Sequence, residues 1–445
     1  YNTQSFSQND SLLSVGKITV VASTGYAARN FKNFVLGKHY RKEWATPVEV
    51  EVLDITKTED GLQPTKRGGG KQTKSLRFQN KNGQEFVLRQ IDKSPDKALP
   101  PELRGTFASD IVKDQISSAN PYAALAVAPL AKVAGVYHSN PKLVYIPFSK
   151  QLGDFNEEFG NTYCLFENRL VGNQSDNPDV GFSEKVVTPD KMFKKYFSDN
   201  DHRVDQQAYL NARIFDMLIG DWDRHEDQWT WASFKEGKHT IYRPVPRDRD
   251  QAFAKLDGLI PWLATRKFAL RQTQDFGKTI KDVNGLMWTG RNQDRLFTTA
   301  LTKEDWINCV RTMQKNLTDE VIDSSVKKMP EVIYLLSGKR ITERLKSRRD
   351  HLEKYALQYY RFVNKEVEVT GTEDREFFEV TRLNNNQTNV KVYNINKEGA
   401  KGRLFFERTF NGGETKEIRL YGMGNNDVFE LTGNTGKAIR IRIIG

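Results

Sequence analysis

Two acidic segments separated by a β-hairpin pattern constrain this chain more than any other feature. The first, Ile219–Trp229, follows a helical pattern and holds four carboxylates, a histidine and an arginine. The second is Arg247–Phe253. Between them, two strand-like runs at 229–234 and 239–245 flank a Lys-Glu-Gly-Lys turn. A hairpin brings its outer ends together, so the two acidic segments are predicted to meet in space.

The residue types in these segments predict a particular chemistry. Carboxylates crowded into one loop repel each other unless they bind something. One carboxylate can orient an acceptor hydroxyl, while others hold Mg²⁺ against phosphates. We therefore expect Asp223 and Asp248 to lie close together and to form a phosphate-handling site with a divalent cation.

A glycine-rich segment, Lys66–Lys74, carries three consecutive glycines among basic residues, just before a strand at 75–78. Glycines let the backbone approach an anion and direct N–H groups toward it, which is typical of a phosphate-binding loop. A flexible hairpin tip explains the same composition equally well. On the next predicted strand, Arg89 and the nearby Lys93 either reach phosphates beneath this loop or face solvent.

Composition narrows the possible classes of protein. The 445 residues contain 68 Lys and Arg against 57 Asp and Glu, a net charge of +11. Such a surface attracts phosphate as nucleotide, nucleic acid or lipid headgroup. Two cysteines exclude a disulfide scaffold and a four-cysteine zinc site. No apolar stretch has the length of a membrane-spanning helix, and no Gly-x-Ser-x-Gly motif supports serine-hydrolase chemistry.

Periodicity predicts an α+β chain in three parts. Strands dominate the beginning, helices the middle, and short strands between Gly and Asn turns the end, which indicates a small β-sandwich or half-barrel. The predicted parts are residues 1–166, 167–364 and 365–445. Helices are predicted at 121–136 (with a proline in its first turn), 204–219, 302–317 and 342–363.

The order of these features resembles the protein-kinase-like superfamily. The chain carries, in this order, a glycine-rich loop, a basic strand residue, an Asp-Arg-His loop, a hairpin and a further aspartate. The same order is found in the atypical branches of the superfamily: HipA-type kinases, the spore-coat kinase CotH, secretory-pathway casein kinases and phosphatidylinositol kinases. The segment Asp248–Phe253 is similar to the Asp-x-Asp-x-x-Phe metal segment of CotH-like kinases. The resemblance implies a two-lobed kinase-like domain that uses ATP or another nucleotide with Mg²⁺ or Mn²⁺, followed by the small all-β domain.

The resemblance also implies roles for individual residues. Asp223 is then the catalytic aspartate, with Arg224 and His225 beside it. Glu167 lies near the adenine. The implied metal ligands are Asp248, Asp250 and Gln228. The implied nucleotide-binding residues are Gly68, Gly69, Gly70, Lys71, Thr73, Lys74, Arg89, Lys93 and Glu167.

Three departures from the kinase pattern keep alternatives open. Arg89 replaces the strand lysine, unless Lys93 takes its place, and Gln228 stands where an asparagine is usual. The acidic partner of the strand cation is not evident, with Asp110 and Asp114 as candidates. The chain is thus an active phosphotransferase or a pseudokinase-like module that binds a nucleotide or partner. A third alternative, a basic binder of nucleic acid or anionic surfaces, follows from charge alone, and no nucleic-acid motif favours it.

The sequence constrains the acceptor of the phosphoryl group and the cellular location less closely. A protein, a lipid, a glycan and a small molecule remain possible acceptors. Gly37–Trp44, the glycine loop and the terminal β region also resemble parts of large Gram-negative cell-envelope proteins that carry a metallophosphoesterase-like region and an outer-membrane β-barrel. This resemblance implies a periplasmic or outer-membrane-associated region tethered to such a barrel, and no targeting signal is recognised in this stretch.

Overall fold

The computed structural model describes residues 16–26, 30–69, 74–92, 114–258, 271–434, 436 and 438–445, with the backbone alone at 30–32. Within these residues the chain forms two mixed lobes and a separate β domain. The predicted fold class, a two-lobed α+β domain followed by a small all-β domain, is confirmed. None of the described helices is both long and apolar enough to cross a lipid bilayer.

The first lobe is built on a seven-stranded sheet within the described residues, in the order β1-β2-β6-β7-β5-β4-β3. Its strands are β1 (Lys17–Val21), β2 (Pro47–Val52), β3 (Gln63–Gly68), β4 (Ser75–Gln79), β5 (Glu85–Gln90), β6 (Lys142–Ile146) and β7 (Thr162–Asn168). Its α-helices are α1 (Asn30–Leu36), α2 (Arg41–Ala45), α3 (Ala123–Val133) and α4 (Asn156–Phe159). Its 3₁₀ helices are Thr58–Asp60, Ile116–Ser118 and Lys150–Phe155.

The burial of the sheet follows the sequence pattern. In β2, valines and glutamates alternate between the buried and exposed faces, as the period of a strand requires. In β5, Phe86, Val87 and Leu88 are all buried, because this strand lies inside the sheet between β4 and β7. On one side β5 pairs with β7, although the two strands are far apart in sequence.

The second lobe is mainly helical and carries a four-stranded sheet in the order β8-β10-β11-β9. Its strands are β8 (Lys185–Val187), β9 (His202–Val204), β10 (Trp229–Glu236) and β11 (His239–Pro246). Its α-helices are α5 (Pro189–Ser198), α6 (Gln206–Ile219), α7 (Val283–Leu286), α8 (Arg291–Phe297), α9 (Lys303–Asn316), α10 (Asp319–Val326), α11 (Glu331–Ile333), α12 (Lys339–Asp350) and α13 (Leu352–Val363). Its 3₁₀ helices are Pro178–Val180, Glu226–Gln228 and Trp288–Gly290, and Tyr334–Gly338 is a π-helical turn.

Two helix predictions are wrong in detail. The helix predicted at 342–363 is two helices, α12 and α13, because the backbone leaves helical geometry at His351 (φ −101°, ψ 6°). No proline or glycine marks this break in the sequence. The helix predicted at 121–136 spans Ala123–Val133 and contains Pro129 in its interior rather than starting on a proline.

The β domain is a sandwich of two sheets, ordered β12-β16-β18 and β15-β14-β13-β17. The strands are β12 (Glu366–Thr370), β13 (Glu376–Arg382), β14 (Gln387–Ile395), β15 (Lys401–Asn411), β16 (Glu417–Tyr421), β17 (Val428–Thr432) and β18 (Arg440–Ile444). Side chains of both sheets share one apolar core, which includes Val369, Phe378 and Leu420. The domain is attached to the second lobe by buried contacts, such as Arg408 Nη1 donating to the Thr299 carbonyl at 2.6 Å.

Candidate active site

The segment after α6 is held by a buried cluster of charged side chains, which we call the arginine–aspartate cluster: Arg213, Asp216, Asp221, Arg224 and Arg249. The Arg224 side chain is completely buried. Its Nε lies 3.0 Å from Asp216 Oδ2, and its Nη2 lies 2.6 Å from Asp221 Oδ2. Asp216 also accepts from Arg213 at 2.8 Å and pairs with Arg249.

The pKa values of the two carboxylates in this cluster shift in opposite directions, although burial acts on both in the same way. Burial alone would raise the pKa of Asp216, but three surrounding guanidinium groups outweigh it and lower the pKa. Burial raises the pKa of Asp221 to about 6, because Arg224 and Arg249 offset it only in part and the carboxylate of Asp216 adds to it. Asp221, the first carboxylate of the acidic segment, is therefore an interior group that helps to fix the loop.

The hairpin brings the two acidic segments together, as predicted. Strands β10 and β11 pair from Trp229↔Pro246 to Glu236↔His239. At the open end of the hairpin, the Arg247 N–H donates to the Gln228 carbonyl at 2.9 Å. Arg224 Nη1 donates to the carbonyls of Gln228 (3.0 Å) and Arg247 (2.6 Å), which joins the first acidic segment to the second.

The acidic segments form one wall of a cleft of about 730 Å³ between the two lobes, which we call the inter-lobe cleft. Asp223, Asp248 and Asp250 all border it. Asp248 takes a left-handed backbone conformation (φ +47°), which aspartate and asparagine tolerate better than most residues. The first-lobe side of the cleft comes from β4, β5 and β7. It includes Arg77, Arg89 and Glu167.

Arg89 finds its acidic partner on the neighbouring strand. Its Nε lies 2.8 Å from Glu167 Oε1, and its Nη1 lies 3.8 Å from Asp248 Oδ2. The second oxygen of Glu167 accepts a hydrogen bond from Ser139 at 2.5 Å. Burial alone would lower the pKa of Arg89, but the carboxylates of Glu167, Asp248 and Asp250 outweigh it and raise the pKa. The strand cation is thus permanently charged and points toward the acidic wall.

Four arginines border the cleft, and they repel one another. Arg77 lies beside Arg169, and Arg247 lies near both Arg89 and Arg169. Burial, followed by these like charges, holds the pKa values of Arg77 and Arg247 below the usual range. An anion bound between these side chains would relieve the repulsion.

The glycine-rich segment is placed in part. Strands β3 and β4 pair with Gly68 opposite Ser75, so the two described ends of the segment lie side by side next to the cleft. Gly69 borders the cleft with a φ of +102°, and Lys74 Nζ lies 3.3 Å from Glu158. Four residues of the predicted site lie outside the described residues: Gly70, Lys71, Thr73 and Lys93.

The structure reassigns three other residues. Arg224, grouped by the resemblance with the catalytic residues, is a buried support of the loop and lies away from the cleft surface. Glu167, expected near a nucleotide base, has its carboxylate on Arg89. Asp114, a candidate partner for Arg89, instead pairs with Arg41, whose Nη1 lies 2.8 Å from Asp114 Oδ1. The other candidate, Asp110, lies outside the described residues.

His225 and Gln228 both border the cleft. The His225 side chain is 47% exposed, with Nε2 4.0 Å from Asp223 Oδ1 and Nδ1 4.0 Å from Asp227 Oδ2. At these distances the histidine does not fix either carboxylate by a hydrogen bond. Gln228 borders the cleft with its side chain and uses its carbonyl to bind Arg224.

Several residues of the site were missed at the level of the sequence. Arg77, Arg169 and Arg247 carry ordinary strand and loop signals, so only their convergence marks them. Arg213 and Asp216 gave a usable signal, because they are charged residues three positions apart on an apolar helix. Such a pair in a buried helix predicts an interior ion pair.

The carboxylates fit a divalent cation. Mg²⁺ prefers oxygen ligands and commonly takes only one or two carboxylates, with waters and substrate phosphates as its remaining ligands. Asp248 and Asp250 supply such a pair at the edge of the cleft. Among the described residues, no three His, Cys, Asp or Glu side chains form a ready cluster for a metal. The two carboxylates therefore fit a cation that also takes oxygens of a bound phosphate as ligands.

Comparisons with known proteins give distant structural neighbours. No model of a protein family matches the chain, and no curated protein matches it. The Helicobacter pylori proinflammatory kinase CtkA is 12% identical with a TM-score of 0.36, over 69% of this chain and 99% of that chain. The Golgi casein kinase with Mn/ADP bound is 13% identical (TM-score 0.35, 67% and 72% of the two chains). HipA from the Shewanella oneidensis MR-1 toxin–antitoxin system is 11% identical (TM-score 0.32, 69% and 74%). TM-scores this low assign neither an activity nor a site residue to the chain.

Proposed function

We propose that this chain is a metal-dependent phosphotransferase that takes a phosphoryl group from a nucleotide such as ATP. One observation carries the proposal: the inter-lobe cleft sets four arginines near Asp223, Asp248 and Asp250. Arginines recognise phosphate oxygens with bidentate geometry. Phosphoryl transfer demands mainly positioning and charge stabilisation, both of which this arrangement can supply. The volume of about 730 Å³ lies within the usual range of ligand sites.

In this proposal each side chain has a defined task. Arg77, Arg89 and Arg169 bind the phosphate oxygens, and Glu167 holds Arg89 in place through its 2.8 Å contact. Asp248 and Asp250 would hold the cation, which when bound would supply positive charge that stabilises the phosphate oxygens. Asp223 orients the acceptor hydroxyl and receives its proton. The acceptor oxygen forms a bond to the terminal phosphorus as the bond to the leaving oxygen breaks, which releases the nucleoside diphosphate.

The test pairs ligand binding with phosphoryl transfer. We expect ATP with Mg²⁺ or Mn²⁺ to raise the melting temperature by several degrees, since a ligand at 100 times its Kd stabilises by about 2.7 kcal/mol. Asp248→Asn should abolish this metal-dependent rise while keeping the left-handed backbone, which asparagine also tolerates. Asp223→Asn should keep the rise but lower transfer of the labelled γ-phosphate at least a hundredfold, the usual scale of acid–base catalysis.

A matched control is Asp350→Asn, which removes a carboxylate that is 58% exposed and pairs with Arg349. It should leave both readouts unchanged. An Asp223→Asn variant with unchanged transfer would refute the proposed role of this aspartate. An unchanged metal-dependent melting shift in Asp248→Asn would refute the metal site.

A second candidate function is a binding module without catalysis, and the surroundings of Arg89 favour it. The Arg89 Nε is engaged by Glu167, and its Nη1 lies 3.8 Å from a proposed metal ligand, Asp248. The positive charge of Arg89 is therefore partly neutralised in the absence of a nucleotide. A nucleotide-dependent melting shift with no label transfer to any acceptor would support this candidate. The acceptor and a cell-envelope setting stay predictions from the sequence.

A further inference from the structure

A second cavity lies between the helical lobe and the β domain, which we call the inter-domain groove. Its volume is about 670 Å³. Three carboxylates border it: Asp190 at the start of α5, Glu226 in the turn after Asp223, and Glu368 on β12. No lysine or arginine is among its described lining residues. In a chain of net charge +11, this groove is a local region of negative charge.

Two of these carboxylates face the groove without a balancing cation. Glu368 lies 3.6 Å from Arg419, which partly neutralises it. Asp190 and Glu226 are exposed and form no ion pair with any residue in the described part of the chain. The negative charge of the groove is therefore available to a ligand.

The floor of the groove is apolar. Phe193 and Phe197 stack with their ring centroids 6.1 Å apart, and both border the groove. Leu296 on α8 and Met423 of the β domain complete the apolar surface, and the Met423 side chain is 49% exposed. The groove thus offers an apolar surface next to negative charge.

A buried donor without a partner points to the kind of ligand. Gln293 borders the groove and is only 4% exposed. Its Oε1 accepts from Trp229 Nε1 at 3.1 Å. Because an indole nitrogen only donates, this bond fixes the orientation of the amide and leaves the amino group on the other side. Within the described residues Gln293 Nε2 is buried and has no hydrogen-bond partner. A carbonyl oxygen of a ligand would satisfy it after a small shift of the side chains that cover the amide.

The groove lies beside the chain segment that carries the candidate active site, since Glu226 borders the groove while His225 and Asp227 border the cleft. Glu226 follows Asp223 by three residues, so their Cα atoms lie within about 11 Å. The Trp229 ring that binds Gln293 lies 5.2 Å from the buried guanidinium of Arg224. The opposite wall is fixed, because the Glu373 N–H donates to the Phe197 carbonyl at 2.8 Å. A ligand in the groove would thus extend away from Asp223.

We propose that the inter-domain groove binds a basic peptide segment of a protein acceptor. The proposal rests on the proposed phosphotransferase function. Lysine or arginine side chains of the segment pair with Asp190 and Glu226, an apolar side chain packs on the phenylalanine pair, and a backbone carbonyl accepts from Gln293. A serine or threonine in the adjoining part of the same segment then reaches Asp223. The acceptor is accordingly a protein rather than a lipid or a glycan.

The test measures binding of a fluorescein-labelled, arginine-rich peptide that contains one leucine and one serine, using fluorescence anisotropy with the whole chain. A peptide with glutamates in place of the arginines should not bind. Asp190→Asn with Glu226→Gln should weaken binding of the basic peptide about threefold to tenfold, since each exposed charge contact contributes modestly. Both positions are exposed, so we expect these variants to fold.

The matched control is Glu304→Gln with Glu236→Gln, which removes the same charge from exposed positions outside the groove. It should change the affinity much less than the groove variant. Equal weakening by both double variants, equal binding of the acidic and basic peptides, or no binding of the basic peptide would overturn the proposal.

Failure of the proposed function gives a different pattern. If ATP with Mg²⁺ or Mn²⁺ does not shift the melting temperature but the basic peptide binds through Asp190 and Glu226, the groove stands and the phosphotransferase proposal fails. If the nucleotide shift is present and the peptide does not bind, the groove proposal alone fails.

Discussion

The buried guanidinium of Arg224 allows a quantitative test of how the candidate site is held together. It is completely buried and binds two carboxylates, Asp216 and Asp221, and three backbone carbonyls. Arg224→Met keeps a long apolar side chain but removes every donor. We therefore expect the variant to lose both stability and the geometry of the acidic wall.

The expected loss of stability depends on the ion pairs that Asp216 and Asp221 keep after the Arg224 guanidinium is removed. Asp216 keeps its contacts with Arg213 and Arg249. Asp221 keeps only Arg249, at 3.6 Å, so it is the group left nearly uncompensated. Breaking a buried ion pair by removing one partner costs about 3–5 kcal/mol. Because the pKa of Asp221 is already raised to about 6, protonation of this carboxylate limits the loss to the lower part of that range.

The assay is thermal unfolding followed by tryptophan fluorescence and circular dichroism, with the tryptophans of β10 reporting on the second lobe. For a region of this size, a loss of about 3 kcal/mol lowers the melting temperature by about 6–12 °C. Arg311→Met is the control, because its side chain is 62% exposed and its Nε lies 3.1 Å from Glu353, a pair expected to contribute at most about 1 kcal/mol. A loss in Arg224→Met no larger than in the control would refute the reasoning.

Two further predictions concern a glycine and a buried glutamate. Gly220 ends α6 with a φ of +76°, and a Cβ added at this residue would lie 2.9 Å from Arg348 Nη1. Gly399 has a similar φ of +83°, but the space around it is open. Gly220→Ala should therefore destabilise the folded chain by about 1–3 kcal/mol more than Gly399→Ala. Urea titrations of the two variants compare these losses directly. Burial raises the pKa of Glu376 to about 7, so the folded chain holds a proton that the unfolded chain has released, and stability should fall as the pH rises from roughly 4.5 to 7. Glu376→Gln should flatten this fall in melting curves recorded between pH 5 and 8, and an unchanged slope would contradict the assignment.

Local elements of this fold could be predicted wherever the sequence carries a complete local signal. The capping box Thr302–Asp305 marks the start of α9, and both of its hydrogen bonds are present. The alternating runs on either side of the Lys-Glu-Gly-Lys turn form the paired strands β10 and β11. The α6 prediction also holds, because its apolar residues recur with the period of a helix and Gly220 ends it.

The break at His351 could not be predicted in this way. Helical propensity is satisfied on both sides of this residue, and α12 and α13 separate at it. Each helix packs its own buried face, with Leu345 in α12 and Tyr359 in α13 among the buried residues. Packing against the rest of the lobe therefore overrides a continuous local pattern.

The candidate site could likewise be predicted only where it depends on residues close in the chain. The sequence predicted that a hairpin would bring Asp223 and Asp248 to one place, because strand pairing follows from residues close in the chain. It could not predict that Glu167 would pair with Arg89, since this depends on β7 lying beside β5, with Leu88 opposite Phe166. It also could not separate Arg224 from its neighbours, because burial is a property of the packed lobe.

By itself, the sequence determined the fold class, the helices and strands that carry a complete local signal, and the residue types at the base of the hairpin, since these depend on periodicity and turn chemistry over short distances. Only the tertiary structure decided which charges meet. It placed Arg77, Arg169 and Arg247 around one cleft, and it opened the inter-domain groove between Asp190 and Glu368. The physical reason is that a charge acts over several ångströms in space, whereas the sequence orders residues only along the chain.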